Sequence, residues 1–288
     1  MDVNSRPYRS VLYIPASKDR ALEKAKSLPA DAIIFDLEDA VAIEEKAHAR
    51  ELLMQRLTEG GYGSRAQIVR INGLGTPWGE DDLSAVLEMG PEAVLLPKVG
   101  SVADVAALAA RLQGAAATRD TQIWAMMETP LGIMNAAEIA RAPRMAGFVM
   151  GTNDLAKELG CRTREAMHTA LQHCLLAARA AGIVCIDGVY NKFRDEEGLT
   201  LECAEGRDFG FDGKTLIHPS QVAIANVAFA PSEAEIDLAR RQIAAFEQAT
   251  AEGQAVAVVD GQIVENLHVD TARATLAKAD AIAEREAA

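Results

Sequence analysis

The sequence lacks the features of a membrane, secreted or nucleic-acid-binding protein. No stretch of about eighteen consecutive apolar residues is present, and the first ten residues contain no apolar core of a signal peptide. Basic residues are in deficit, because 29 Lys and Arg against 42 Asp and Glu give a net charge of −13. An acidic surface argues against nucleic acid or an anionic membrane as the partner. We therefore expect a cytoplasmic protein with a small-molecule partner.

Cysteine is also scarce, and the sequence has no internal repeat or low-complexity tract. None of the four cysteines forms a C-x-x-C motif, and none has a histidine at the spacing of a zinc site. This pattern predicts free thiols in a reducing compartment rather than a disulfide framework.

Eight short apolar runs remain, and each is nearly continuous in Val, Ile, Leu, Phe and Met. Such runs are typical of strands that are buried on both faces of a parallel sheet. The runs cover residues 10–16, 32–37, 67–71, 93–99, 123–127, 147–150, 183–188 and 215–217.

Amphipathic segments between these runs predict helices. Ser101 and Asp104 form a capping box that opens one helix, and Gly182 predicts the end of another over residues 163–181. Eight strand–helix units in one chain predict a (β/α)₈ TIM barrel over residues 1–231. An open, doubly wound sheet is the alternative.

The pattern changes in residues 232–288. Ser232 and Glu235 form a second capping box, which predicts a helix to residue 251. Two short apolar runs flank Asp260-Gly261 and predict a β-hairpin, and a last helix is expected over residues 268–284. We expect this extension to serve as a lid or an oligomer contact.

Polar residues follow nearly every predicted strand, and active sites of TIM barrels lie at that end. Glu128 and Asp154 end the fifth and sixth runs, so the two carboxylates should converge. Oxygen donors without His or Cys favour Mg²⁺ or Mn²⁺. Arg70 in the third run predicts either a bidentate clamp on a substrate oxygen or a core ion pair with Asp36 or Glu38.

The first predicted strand is flanked by basic residues, in a chain that is otherwise acidic. Arg9 precedes the strand, and Lys18 and Arg20 follow it near the start of a predicted helix. Helix N-termini favour anions, so this cluster predicts phosphate binding. Solvated surface charges are the alternative.

Seven blocks in order resemble the citrate lyase β-subunit-like family, the acyl-CoA branch of the HpcH/HpaI aldolase superfamily that includes malyl-CoA and citramalyl-CoA lyases. The blocks are RSVLYIPASKDRALEKA, AIIFDLEDAV, IVRING, VLLPKV, MMETPLGI, GTNDLAKELG and GKTLIHPSQV. The resemblance runs from about Arg9 to Val222 and continues weakly to the end. It implies a TIM barrel that forms a homo-oligomer, a trimer or a hexamer.

The resemblance also implies roles for individual residues. Glu128 and Asp154 correspond to the ligands of Mg²⁺, and Arg70 to the clamp on the 2-oxo acid. The carboxylates that hold metal-bound waters correspond to Glu38 and Asp39. The coenzyme A site corresponds to the first loop, which suits Arg9, Lys18 and Arg20. An acidic residue from a C-terminal segment corresponds to Glu265, where Glu stands in place of the usual Asp.

These residues predict a Mg²⁺-dependent carbon–carbon lyase that cleaves a 2-hydroxyacyl-CoA such as malyl-CoA into a 2-oxo acid and an acyl-CoA. Glu265 would protonate the enolate that cleavage produces. Three alternatives stay open. The first is a malyl-CoA thioesterase, in which the acid acts as a base for water. The second is a Schiff-base aldolase that uses Lys98 or Lys214. The third is a citrate lyase β subunit that acts within a complex.

Overall fold

The computed structural model of the chain describes residues 6–287. Eight parallel strands close into a barrel in which each strand pairs with its neighbours in sequence and β8 returns to β1. The predicted TIM barrel is confirmed, and the open-sheet alternative is wrong. The strands are β1 (Ser10–Pro15), β2 (Ala32–Asp36), β3 (Ala66–Arg70), β4 (Ala93–Leu96), β5 (Gln122–Met127), β6 (Met145–Met150), β7 (Val184–Asp187) and β8 (Gly213–Leu216).

Helices connect the strands and pack around the barrel. Leu, Val, Ile and Ala side chains on the outer faces of the strands form one large buried cluster with the inner faces of these helices. The helices are α1 (Asp19–Ala25), α2 (Lys46–Glu59), α3 (Gly79–Met89), α4 (Val102–Gln113), α5 (Pro130–Met134), α6 (Ala136–Ile139), α7 (Thr152–Leu159), α8 (His168–Ala181), α9 (Glu196–Phe209) and α10 (Val222–Phe229).

The predicted helix boundaries are largely confirmed where capping chemistry marked them. Ser101 caps α4, and the carboxylate of Asp104 accepts its backbone N–H at 2.8 Å. Gly182 ends α8 with φ of +71°, a conformation that glycine adopts without a steric penalty. The start of α8 was predicted too early, because a 3₁₀ turn (Glu165–Met167) precedes it.

Residues 8–229 form one compact unit, and residues 230–287 together with 6–7 form another. The second unit contains α11 (Glu233–Ala251), the hairpin of β9 (Ala257–Val259) and β10 (Gln262–Val264), and α12 (Asn266–Ala287). Asp260 and Gly261 both have positive φ, as a two-residue hairpin turn requires, so the predicted hairpin is confirmed. Within residues 6–287, no helix is long and apolar enough to span a membrane.

Candidate active site

The barrel interior changes from apolar to polar toward the carboxyl ends of the strands. Side chains alternate between the two faces of a strand, so every second residue points inward. Ile34 and Ile68 belong to the inner apolar cluster, and two residues later Asp36 and Arg70 occupy the same face. Trp124 and Met126 precede Glu128 in the same way. These polar residues line a cavity of about 310 Å³ at the end of the barrel where TIM-barrel chemistry occurs.

Arg70 is buried in this cavity and engages carboxylates from β2 and the loop that follows it. Its Nε donates to Asp36 Oδ1 at 2.7 Å, and its Nη2 lies 2.5 Å from Asp36 Oδ2. Its Nη1 lies 2.9 Å from Glu38 Oε2 and 3.6 Å from Asp39 Oδ2. Of the two interpretations of Arg70, the structure therefore contains the ion pair with Asp36 and Glu38. Its Nη1 is directed toward the loop after β2.

Hydrogen bonds with Asp36 and Lys46 hold the loop after β2 in place. Asp36 accepts the backbone N–H groups of Glu38 and Ala40 at 2.9 and 3.1 Å. The buried ammonium of Lys46 donates to the carbonyl oxygens of Leu37 and Glu38 at 2.9 and 3.0 Å. Because the loop is anchored in this way, Glu38 is half-buried, whereas Asp39 is exposed.

The Glu38 carboxylate has an electrostatic environment that disfavours its charge. Burial raises the pKa of Glu38 to about 8, although Arg70 opposes the shift, and Asp39 and Glu128 add to it. Among the described residues, Oε2 of Glu38 accepts no hydrogen bond of good geometry, despite its closeness to Arg70. Acids with raised pKa values in a cleft are candidates for functional groups.

Glu128 and Asp154 meet at the same cavity, as their positions after β5 and β6 predicted. Glu128 is only 3% exposed, and its Oε1 accepts the backbone N–H of Lys98 at 2.8 Å. Asp154 lies in the first turn of α7, and its Oδ2 is 3.6 Å from Lys98 Nζ. A Cβ on Gly151 would lie 2.4 Å from Glu128 Cβ and 2.6 Å from its Oε2, so only glycine leaves room for this carboxylate.

These two carboxylates fit a hard divalent cation. Burial raises the pKa of Glu128 to about 7, the N–H of Lys98 opposes the shift, and repulsion from Asp154 adds to it. A cation between the carboxylates would offset that repulsion. No cluster of three or more His, Cys, Asp or Glu side chains suited to a metal exists within residues 6–287. A cation held by two carboxylates would complete its shell with water and substrate oxygens, as Mg²⁺ commonly does.

Comparison with known proteins decides the family. The HpcH/HpaI aldolase/citrate lyase description matches residues 9–219. The chain belongs to this family. It is 63% identical to a (3S)-malyl-CoA thioesterase of Cereibacter sphaeroides over 97% of each chain. It is 37% identical to the citrate lyase β subunit of Escherichia coli, with 98% of this chain and 96% of that chain covered.

Solved structures of this HpcH/HpaI family have the same fold. The protein CitE from Mycobacterium tuberculosis, in complex with magnesium, acetoacetate and coenzyme A, superposes with a TM-score of 0.79 at 31% identity. That match covers 96% of this chain and 98% of the other. The chain is thus an enzyme of the citrate lyase β-like family, but the predicted lyase activity is not confirmed. The relative at 63% identity carries the name of the thioesterase alternative.

One residue predicted for the coenzyme A site lies elsewhere. Arg9 precedes β1 at the amino end of the barrel, whereas Lys18 follows it at the carboxyl end. Six strand residues at about 3.3 Å each separate the two by about 20 Å. Arg9 is 3% exposed, and its Nε and Nη2 donate to the two oxygens of Asp31 at 2.9 and 3.0 Å. The grouping of Arg9 with Lys18 and Arg20 was therefore wrong.

Lys18 and Arg20 lie in the first βα connection, and both are exposed. Lys18 Nζ lies 3.2 Å from Glu45 Oε2. Their contact with coenzyme A stays a prediction. Glu265 is exposed at the start of α12, where its backbone N–H donates to His268 Nδ1 at 3.0 Å. Its role as an acid also stays a prediction.

The lysines of the Schiff-base alternative are poorly suited to that chemistry. Lys214 is fully buried outside the cavity and contacts Asp187 and Glu202 at 2.8 and 2.6 Å. Burial lowers the pKa of Lys98, but Asp154 and Glu128 outweigh it, so that the pKa is raised overall. A Schiff-base lysine requires a neutral amine and therefore the opposite shift.

Sequence reasoning missed two residues of the site. Tyr13 lines the cavity, but it lies in an apolar run that predicts only a buried strand. Its position two residues after the inward-facing Val11 could have identified it. Lys46 holds the loop after β2, but no local pattern marks a lysine at the start of a helix as buried.

Proposed function

We propose that this protein is a (3S)-malyl-CoA thioesterase, which hydrolyses malyl-CoA to malate and free coenzyme A. The observation that carries the proposal is the 63% identity with a thioesterase of that name over 97% of each chain. The cavity supports it, because it combines two convergent carboxylates, a buried arginine and space of about 310 Å³.

The acidic groups of the cavity bind and orient the malyl group. Glu128 and Asp154 would hold a Mg²⁺ ion, and Glu38 and Asp39 would hold its water ligands. When bound, Mg²⁺ supplies a Lewis acid and a positive charge for substrate oxygens. Arg70 contributes a fixed positive charge beside the same oxygens. Because Asp36 engages its Nε and Nη2, it is Nη1 that remains directed toward the loop of Glu38.

Hydrolysis breaks the bond between the thioester carbon and sulfur. A water oxygen attacks that carbon, a base accepts the water proton, and the thiolate of coenzyme A leaves and takes up a proton. Glu265 is the predicted base, and Lys18 and Arg20 are the predicted contacts of the coenzyme A phosphates. A homo-oligomer, trimer or hexamer, stays an expectation that light scattering can measure.

A second candidate is the lyase reaction, which is supported by the 37% identity with citrate lyase β subunits. In that reaction the bond between C2 and C3 of the malyl group breaks. The products are glyoxylate and the enolate of acetyl-CoA, which then takes up a proton. The two reactions use the same bound substrate but break different bonds.

Product analysis distinguishes the two candidates. The purified protein is incubated with (3S)-malyl-CoA and MgCl₂ in H₂¹⁸O, and the products are identified by mass spectrometry. Malate with one ¹⁸O in a carboxylate, together with free coenzyme A, is the expected result. Glyoxylate and acetyl-CoA without malate would replace the thioesterase with the lyase. The exposed-residue variant Glu138→Gln is the positive control, and Glu128→Gln should form neither set of products.

A further inference from the structure

The phenol of Tyr13 lies in the wall of the active-site cavity. Tyr13 is half-buried and shares the inward face of β1 with Val11. The guanidinium carbon of Arg70 lies 4.9 Å from the centroid of its ring, which fixes the ring beside the buried charge. The hydroxyl donates to Met126 Sδ at 3.4 Å. A thioether sulfur is a weak acceptor, so the hydroxyl gives up little when a stronger acceptor arrives.

Two other side-chain donors of the cavity, on Arg70 and Thr215, already contact stronger acceptors. Arg70 Nε donates to Asp36 Oδ1 at 2.7 Å, and its Nη1 forms an ion pair with Glu38 Oε2 at 2.9 Å. The hydroxyl of Thr215 donates to the carbonyl oxygen of Asp187 at 3.0 Å. The phenol differs from these because its acceptor, the Met126 thioether sulfur, is much weaker than a carboxylate or a carbonyl oxygen.

The protonation state of the phenol suits a donor. Burial raises the pKa of Tyr13 well above its ordinary value, and Asp36 and Glu128 add to the shift although Arg70 opposes it. The hydroxyl therefore keeps its proton across the range in which a thioester is hydrolysed enzymatically. It cannot serve as a base at neutral pH, but it can stabilise negative charge on a nearby oxygen.

We propose that Tyr13 is a catalytic residue whose hydroxyl donates a hydrogen bond to the thioester oxygen as that oxygen becomes negatively charged. The identity of the acyl thioester rests on the proposed function. In the ground state the hydroxyl exchanges a thioether for a neutral carbonyl. In the transition state the acceptor is an oxyanion, so this hydrogen bond stabilises the transition state more than the ground state. Both candidate reactions place charge on this oxygen, as the tetrahedral intermediate in hydrolysis and as the enolate in cleavage.

Tyr13→Phe tests the proposal because it removes only the hydroxyl and keeps the ring against Arg70. Release of the coenzyme A thiol from (3S)-malyl-CoA is followed at saturating MgCl₂. We expect kcat to fall about 100-fold while KM changes less than about twofold, as for loss of one oxyanion donor. The ratio of wild-type to variant kcat should not vary between about pH 6 and pH 9, because the phenol does not titrate there. Incorporation of 3-fluorotyrosine at position 13 should restore kcat.

Tyr62→Phe is the matched control. Tyr62 is buried outside the cavity, and its hydroxyl lies 3.4 Å from the carbonyl oxygen of Leu22. Its kinetic constants should match those of the wild type. An unchanged kcat in Tyr13→Phe, or a change confined to KM, would overturn the proposal. In that case other donors, such as the first backbone N–H groups of α7, would stabilise the charge on the thioester oxygen.

Failure of the proposed function gives a different result. If the wild type forms glyoxylate and acetyl-CoA, the thioesterase assignment fails whatever Tyr13 does. Tyr13→Phe is then measured on that reaction by glyoxylate release, and a loss of kcat again supports its role. A thermal melt of the variant that coincides with that of the wild type confirms that the ring alone maintains the local packing.

Discussion

Arg70 and Arg164 organise two carboxylate clusters, and the clusters differ in how their charges balance. The Arg70 cluster, formed by Arg70, Asp36 and Glu38, faces the cavity. There, burial and neighbouring carboxylates raise the pKa of Glu38 to about 8 although Arg70 opposes the shift. Glu128, in the same cavity, also has a raised pKa, of about 7. Arg70 and Lys98 therefore do not fully offset the burial and the mutual repulsion of these carboxylates.

The Arg164 cluster, formed by Arg164, Lys214 and Asp187, lies on the outer side of the barrel wall. Arg164 Nη2 and Lys214 Nζ lie 3.0 and 2.8 Å from Asp187 Oδ2. Glu202 and Glu205 contact the same two cations. Burial alone would raise the pKa of Asp187, but Lys214 and Arg164 outweigh it and the pKa is lowered.

The comparison separates a structural cluster from a functional one. Asp187 has two cationic partners that lower its pKa, so its charge is stabilised within the protein. The carboxylates of the cavity are under-compensated, and an additional cation would lower their mutual repulsion. The first cluster should matter for folding and the second for ligand binding. Substitutions in each cluster test that distinction.

Asp187→Asn should destabilise the fold by about 3–5 kcal/mol, because it leaves the buried Lys214 and the half-buried Arg164 without their shared carboxylate. The folded-state pKa of Asp187 is lowered, so its contribution is present above the unfolded pKa and is lost as pH falls through the folded value. The difference in unfolding free energy between wild type and variant should thus shrink at acidic pH. Urea unfolding at several pH values measures it. The matched control is Asp237→Asn at an exposed ion pair, which should unfold like the wild type.

Glu128→Gln should lower kcat about 1000-fold, which corresponds to about 4 kcal/mol of transition-state stabilisation. Its stability should change in the opposite direction from that of Asp187→Asn. The folded-state pKa of Glu128 is raised, so the wild type loses stability as pH rises from the unfolded value toward about 7. In EDTA at pH 8, Glu128→Gln should therefore melt at or above the wild-type temperature. If Glu128→Gln stays active but is less stable than the wild type, the cavity carboxylates would be structural and not functional.

Arg70→Lys should lower kcat/KM about 100-fold, because lysine keeps the charge but loses the planar fork that meets Asp36. Steady-state kinetics and circular dichroism measure activity and folding separately. The control Arg111→Lys alters an exposed pair with Glu80 and should behave as wild type. If Arg70→Lys lowers the melting temperature but retains its activity, Arg70 belongs with the structural residues.

The affinity for a divalent cation should rise with pH up to about 7, because a cation competes with the proton on Glu128. Below that value we expect the dissociation constant of Mn²⁺ to increase up to about tenfold per pH unit. Electron paramagnetic resonance of free Mn²⁺ measures this binding without substrate. Glu128→Gln should bind Mn²⁺ weakly at every pH. An affinity independent of pH in the wild type would place the cation elsewhere.

The sequence predicted the barrel well because burial on both faces gives each strand an unmistakably apolar run. It also predicted that Glu128 and Asp154 converge, since adjacent parallel strands end at the same rim. It failed for Arg9, because closeness along the chain does not place two residues at the same end of a strand.

The sequence also could not assign the side chains of Arg70 and Asp187 to their roles. Both residues end strands. Arg70 lies two residues after the inward-facing Ile68 of β3, so its side chain also faces the interior. Asp187 directly follows Ile186, an inward-facing residue of β7, so its side chain points outward. Which residues of a strand face inward depends on how that strand pairs with its neighbours, and this pairing is set only in the closed barrel. The partners of a buried charge depend on residues distant in the chain, such as Lys214 for Asp187.

Gly151 has a consequence for redesign of the acyl preference. Any side chain at this position, even the methyl group of alanine, would displace the Glu128 carboxylate. A mutant library aimed at new substrates should hold position 151 constant. Its diversity belongs at Val189 and Ile217, which also line the cavity.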